Sequence, residues 1–175
     1  MTPRLRIRLA TAADARAIGV LVRRGLRRDV LPDQTAEAGA FLLKTMSARA
    51  ERDRIVAGRR YHLAEIGRDL VGVIATREDR HIFRLFVTRR FQRRGIARAL
   101  LRAALADCGR RAGTRTFMLN ASACAIPAYL RMGFVRAGRR AAKGPGGVVA
   151  TPMIYKLPRK APVERRLKNR PARHN

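Results

Sequence analysis

Only two cysteines, Cys108 and Cys124, occur in 175 residues, and neither has His or Cys neighbours at zinc-ligand spacing. A disulfide framework and a structural metal are excluded on that basis, and a reducing compartment is expected. Tryptophan is absent and aromatic residues make up 5% of the chain, which leaves few stacking platforms for single-stranded nucleic acid. No apolar run approaches the roughly 20 residues of a membrane span. The basic N-terminal residues are followed by Asp14 and Arg16, not by the apolar core of a signal peptide. A cytoplasmic protein is expected. Acidic residues number 12 against 40 Lys and Arg, a formal net charge of +28, and none lies between Cys108 and Val163. The excess is nearly all arginine, because the lysines are only Lys44, Lys143, Lys156, Lys160 and Lys168. Such a field concentrates polyphosphate cofactors, nucleic acids and acidic proteins alike; compositional bias of the coding sequence is the other reading of the same excess.

What is present suffices for one packed domain. Hydrophobic residues reach 47%, and a chain of this length can bury a working core. Residues Leu5 to Leu9 alternate apolar and basic, as a strand does, and Thr11 to Asp14 reads as a capping box that opens a helix through Ile18, Leu21 and Val22. A second helix is expected from Gln34 to about Ala50, ending in the charged stretch Glu51 to Arg54. Three β-like runs follow, Tyr61–Ile66, Leu70–Thr76 and His81–Val87, separated by turn-forming residues, which predicts an antiparallel meander. A helix from Gly95 to about Arg111 sets Ile96, Leu100, Ala104 and Cys108 on one side, and Gly113 suits its end. Thr116–Asn120 reads as a strand and Ala125–Met132 as a short helix, with Pro127 placing the helix start near Cys124 or distorting its first turn. A strand after Phe134, a turn at Gly144–Gly147 and a last strand Val149–Leu157 complete an α+β layered domain over residues 1–157. Residues 158–175 are basic and nearly free of large apolar side chains, and are expected to form a flexible tail.

The order strand, loop, helix start at Leu85-Phe86-Val87 and Gln92-Arg93-Arg94-Gly95-Ile96-Ala97 is the order an anion site requires. Free N–H groups at a helix start bind phosphate, Gly95 and Ala97 admit close approach of the backbone, and Arg93 and Arg94 add charge. The spacing is neither the three-glycine dinucleotide fingerprint nor a P-loop. These residues resemble the Q/R-x-x-G-x-G/A signature of the GNAT superfamily of N-acetyltransferases. Leu119-Asn120-Ala121-Ser122, Ala125-Ile126-Pro127, Tyr129 and Gly133-Phe134 resemble the second block of that superfamily, and the likeness runs from about Arg4 to Leu157. It implies a mixed, mostly antiparallel sheet of about six to seven strands flanked by about four helices. It also implies acetyl-CoA as cosubstrate, and no metal.

Carried over residue by residue, the resemblance gives Gln92 to Ala97 to the pyrophosphate and the backbone of Leu85, Phe86 and Val87 to the pantetheine arm and the oxyanion. Asn120 either contacts the cofactor or positions the short helix. Acyl transfer to an amine by direct attack on the thioester needs an acid for the departing thiolate, and Tyr129, with an ordinary pKa of about 10, is matched to that task. The central strand, His81-Ile82-Phe83-Arg84, lacks the glutamate many relatives carry there, so the base is open among Glu65, Glu78, His81 and water. Arg131, Arg136, Arg139, Arg140 and Lys143 crowd one loop, which suits an acidic amine-bearing small molecule or peptide, or is a solvated basic face. A monomer or homodimer without a membrane partner is expected. The rival classes are a basic nucleic-acid binder acting through the tail from Arg159-Lys160 to Arg173, and a non-catalytic CoA-binding regulator; no zinc, heptad or RNP-like reader supports the first.

Overall fold

The computed structural model describes residues 4–138 and 142–158. Arg139, Arg140 and the expected tail beyond Pro158 lie outside the described residues. The strands are β1 (Leu5–Leu9), β2 (Arg60–Ile66), β3 (Asp69–Arg77), β4 (His81–Val87), β5 (Thr116–Ala121), β6 (Val135–Arg136), β7 (Ala142–Lys143) and β8 (Val149–Lys156). Seven of them form one sheet in the order β1-β2-β3-β4-β5-β8-β6, and β7 pairs alongside β8. Every pairing is antiparallel except β4 with β5, which run parallel.

The helices are α1 (Ala15–Asp29), α2 (Ala36–Thr45), α3 (Ala48–Val56), α4 (Ile96–Ala112) and α5 (Ile126–Arg131). The expected single helix from Gln34 to Ala50 is corrected to two. Thr35 caps α2 by accepting from Ala38 N–H at 3.2 Å, and Ser47 caps α3 by accepting from Ala50 N–H at 3.2 Å. A new N-cap at Ser47 restarts the chain within the stretch 40–50, which has no Gly or Pro and read as continuous helix. The stretch Glu51 to Arg54 is therefore the body of α3 and not a helix end.

Two apolar layers flank the sheet. On one face α1 and α2 bury Ile18, Val22, Leu26 and Leu42 against Tyr61, Leu63, Val73 and Ala75. On the other, Ile96, Leu100, Ala104 and Cys108 of α4 pack on Val71, Ile74, Phe117, Phe134 and Met153, which is the α4 face expected from its periodicity. Gly25 lets α1 lie against β4, because a Cβ there would stand 2.4 Å from Cδ1 of Phe86.

A β-bulge decides which way the central strand faces. Thr76 pairs with Ile82 but Ala75 pairs with Arg84, so Phe83 is an extra residue on β4. Phe83 packs with the α1–α2 layer, and the next residue, Arg84, points to the same side. There Arg84 meets Glu51 of α3, which is wholly buried: Nε and Nη2 of Arg84 both lie 3.2 Å from Oε1. Arg54 Nη1 reaches the same oxygen at 3.3 Å, and the Tyr61 hydroxyl donates to Oε2. Removing Glu51 strands a buried guanidinium, which costs about 3–5 kcal/mol. Glu51→Ala is thus expected to lower the unfolding free energy in urea by about 3 kcal/mol or more, and adding Arg84→Met should recover most of the loss. Equal stability of Glu51→Ala and the parent would refute this account of the cluster.

Candidate active site

The parallel pair β4 and β5 touches at a single bridge, His81 with Met118, and then separates. Beyond that bridge no described strand pairs with the β5-facing edge of the segment Leu85-Phe86-Val87, so the backbone groups of Leu85 and the N–H of Val87 that face it are open to a ligand, while Phe86 pairs with Val73 of β3. The opening is a groove of about 1520 Å³ that passes between the strands and reaches both faces of the sheet. It is lined on one face by the start of α4 and by α5, and on the other by α2, Arg54 and the segment Lys143–Pro145. Two hydrogen bonds between Gln34 and Val149, at 2.9 and 2.8 Å, tie the lead-in to α2 onto β8 and hold that wall in place.

The start of α4 is built as an anion cradle. Gly95 is its N-cap at φ +77°, and Arg93 also takes a positive φ of +61°, so the chain coils tightly before the helix. The N–H groups of Arg93, Arg94, Gly95, Ile96, Ala97 and Arg98 make no hydrogen bond to any described residue. Successive free N–H groups in such a turn, at the positive end of a 17-residue helix, form a concavity suited to phosphate oxygens. A Cβ added at Gly95 would meet no atom within 4 Å, so the position is kept open by backbone geometry and not by packing. Arg93, Arg98 and Arg131 line this end of the groove, with Arg98 Nη2 donating to the Arg131 carbonyl at 3.0 Å. Arg94 lies with its guanidinium 5.4 Å from the Phe91 ring centre. Gln92 spends its amide on the Val87 carbonyl at 3.0 Å, which fastens the loop to the end of β4.

Tyr129 stands on α5, which starts after a short 3-10 turn at Ala123–Ala125 with Pro127 in its first turn. Its ring packs edge-on against Phe134 at 5.5 Å, and it lines the groove. The hydroxyl makes no hydrogen bond to a described residue, and burial, with a smaller effect of Cys124, pushes its pKa well above the ordinary tyrosine value. The proton therefore stays on the oxygen at neutral pH. Asn120, on β5 opposite Pro152, is exposed and lines the same wall. Cys124 sits at the rim, where its thiol donates to the Asp29 carbonyl.

The three candidate bases are not brought together. Glu65 is on β2, held by Arg8 at 2.9 Å, and Glu78 is in the exposed β3–β4 turn at 3.7 Å from Arg80; neither lines the groove. His81 does, at the closed end where β4 meets β5. Burial, reinforced by Arg77, lowers its pKa, so its imidazole is neutral and able to accept a proton at pH 7. The groove also contains residues that the sequence did not single out: Asp29, Phe41, Met46, Arg54 and Arg84. The one signal for Arg84 was a charge inside the otherwise apolar run Ile82 to Val87.

Residues 30–157 match the acetyltransferase (GNAT) domain family. The chain belongs to the GNAT acetyltransferase family. The architecture agrees with solved GNAT structures. A GCN5-related N-acetyltransferase of Rhodopseudomonas palustris superposes with a TM-score of 0.72 at 22% identity, covering 90% of this chain and 97% of that one. The PaiA N-acetyltransferase of Thermoplasma acidophilum, solved in complex with coenzyme A, gives 0.71 at 16% identity over 88% and 99% of the two chains. A variant of the spermidine N-acetyltransferase of Vibrio cholerae gives 0.59 at 19% identity over 87% and 93%. No match is found among curated proteins by sequence. Among the described residues no helix is long and apolar enough to cross a membrane, and no group of three or more His, Cys, Asp or Glu side chains is placed to hold a metal ion.

Proposed function

We propose that this GNAT domain, residues 1–157, transfers an acetyl group from acetyl-CoA to an amine. The observation that carries the reading is the run of six unpartnered N–H groups, Arg93 to Arg98, at the mouth of the opening between β4 and β5. The pyrophosphate sits on these amides, with Arg93, Arg98 and Arg131 adding charge. The pantetheine arm runs along the free edge of β4, where it meets the backbone of Leu85 and the N–H of Val87 in place of a strand partner; Asn120 borders it from β5. The acetyl group then lies between the strands, and the amine enters from the α2 side.

Chemistry follows from what surrounds that point. The amine must attack as the free base, and neutral His81 at the closed end of the groove, acting directly or through water, takes its proton. Backbone N–H groups on the free edge of β4 stabilise the oxyanion, a contribution of about 3 kcal/mol per donor where geometry is preorganised. As the C–S bond breaks, Tyr129 delivers a proton to the CoA thiolate and is restored by solvent.

Among the described residues the groove wall carries seven basic side chains and one acidic one, Asp29. A polycation such as spermidine, the acceptor named for the Vibrio cholerae protein, is disfavoured by like charge, so fold similarity does not carry that substrate over.

Thermal shift tests the cosubstrate assignment. At about a hundred times its Kd, acetyl-CoA contributes about 2.7 kcal/mol, which should raise Tm by roughly 5–10 °C for a chain of this size. Oligonucleotides matched in phosphate content should give a smaller shift that vanishes at high salt. No shift with acetyl-CoA would overturn the reading.

A further inference from the structure

The α2–α3 wall of the groove holds an unbalanced charge. Among the described residues, Glu51 is the one carboxylate that the guanidiniums of Arg84 and Arg54 contact, and both use the same oxygen, Oε1. Tyr61 occupies the other oxygen. One negative charge thus faces two positive ones, leaving a surplus of one positive charge beside a wholly buried group. The two arginines divide the work unequally. Arg84 is 8% exposed and fully engaged, with Nε and Nη2 on Glu51 and Nη1 on the Phe83 carbonyl. Arg54 is half-buried and gives Glu51 a single contact through Nη1; its Nε and Nη2 donate to no described residue. Both residues line the groove, on the side opposite α4 and α5.

No carboxylate of a described residue in the groove corrects the surplus. Among the described residues Asp29 is the only acidic one on the wall, and both its oxygens are taken by the adjacent Arg28, one of them at 2.6 Å. Lys143, on the same side as α2, adds to the excess. The Arg84 guanidinium lies 5.0 Å from the Phe83 ring centre, Phe41 and Met46 line the same groove, and a charge contact in such partly apolar surroundings is screened less than one in open solvent.

We infer that the acceptor is an amine carrying a carboxylate, which Arg54 receives through its free Nε and Nη2. The pair of donors matches the two oxygens of a carboxylate, and the ligand's charge neutralises the Arg54–Glu51–Arg84 surplus. The apolar residues beside it accept a carbon skeleton between the carboxylate and the amine. This specificity rests on the acetyl-transfer reading, since it names the acceptor for that reaction; the residues that carry it belong to the opposite wall from the phosphate cradle.

The test uses the full chain, acetyl-CoA, and a panel of standard amino acids and dipeptides, each supplied as the carboxylate and as the matching carboxamide. Acetyl-CoA affinity is measured first by calorimetry, and acetylation is then followed by release of the CoA thiol. Carboxylates are expected to exceed their carboxamides in kcat/KM by about tenfold or more, the worth of a hydrogen bond to a charged group. Arg54→Gln should remove that preference, raising KM for carboxylates by about 10- to 100-fold and for carboxamides by far less, while acetyl-CoA affinity stays unchanged. Arg54→Lys should restore part of it, because the charge returns without the fork. Failure of acetyl-CoA to bind would remove the acetyl-transfer reading and this inference with it. If acetyl-CoA binds, equal rates within each pair, a preference that survives Arg54→Gln, or a panel with no acetylated member would overturn the carboxylate assignment alone.

Discussion

Tyr129→Phe is expected to lower kcat by about a hundredfold or more while leaving the affinity for acetyl-CoA nearly unchanged. The substitution removes one oxygen and keeps the ring, whose edge-on contact with Phe134 at 5.5 Å needs no hydroxyl. No described residue loses a hydrogen-bond partner, so no buried group is orphaned and stability should hold. Burial raises the hydroxyl pKa above the ordinary value that matched it to a thiol, and the match is kept only because the same desolvation raises the basicity of a thiolate formed beside it. A loss confined to kcat then reports proton delivery to the leaving group. Steady-state kinetics with calorimetry for acetyl-CoA and urea denaturation separate the outcomes. Normal kcat would mean that water protonates the thiolate. Loss of cofactor affinity together with stability would mean that Tyr129 is a packing residue.

Much of the scaffold around that tyrosine was legible because it depends on local periodicity. The alternation in Leu5–Leu9, the turns Gly67-Arg68-Asp69 and Arg77 to Arg80, and the apolar face of α4 are each set by residues within a few positions of one another. The strand–loop–helix order around Gly95 was equally local, and the cradle of N–H groups forms there. The break between α2 and α3 was less visible. Thr45-Met46-Ser47 contains no Gly or Pro, and the side chain that ends one helix and caps the next is an ordinary serine.

Residues on the acceptor side were illegible for a different reason. A buried glutamate in Ala-Glu-Arg-Asp-Arg looks like part of a solvated helix face, and only Tyr61 and Arg84, 10 and 33 positions away, make it a core residue. The extra residue at Phe83 then reverses the strand alternation, so Arg84 turns toward α3 although a regular strand would have aimed it at the opposite face. Long-range pairing and a bulge are tertiary facts that no window of sequence contains. His81 was separable from Glu65 and Glu78 only once the strands had been seen to converge at Met118.

Gly95→Val is expected to reduce acetyl-CoA affinity by a hundredfold or more, because two effects act on the same point. At φ +77° a β-branched residue is strained by about 1–2 kcal/mol, and relief of that strain rotates the N–H groups of Ile96 and Ala97 out of register with the phosphate oxygens. Each charge-assisted hydrogen bond lost costs about 1.5–3 kcal/mol, so two account for the factor expected. The side chain also enters the space in front of the loop, where nothing of the protein stands within 4 Å. Gly95→Asn separates the two effects, since asparagine tolerates the left-handed region far better than valine. It should keep Tm close to the parent and still bind acetyl-CoA at least about tenfold more weakly, because its Cβ and amide occupy the phosphate's approach. Calorimetry and thermal melting on both variants decide the matter. Parent-like affinity in Gly95→Asn would show that the space before Gly95 is not where the pyrophosphate lies, and parent-like affinity in Gly95→Val would remove the α4 N-terminus from the cofactor site altogether.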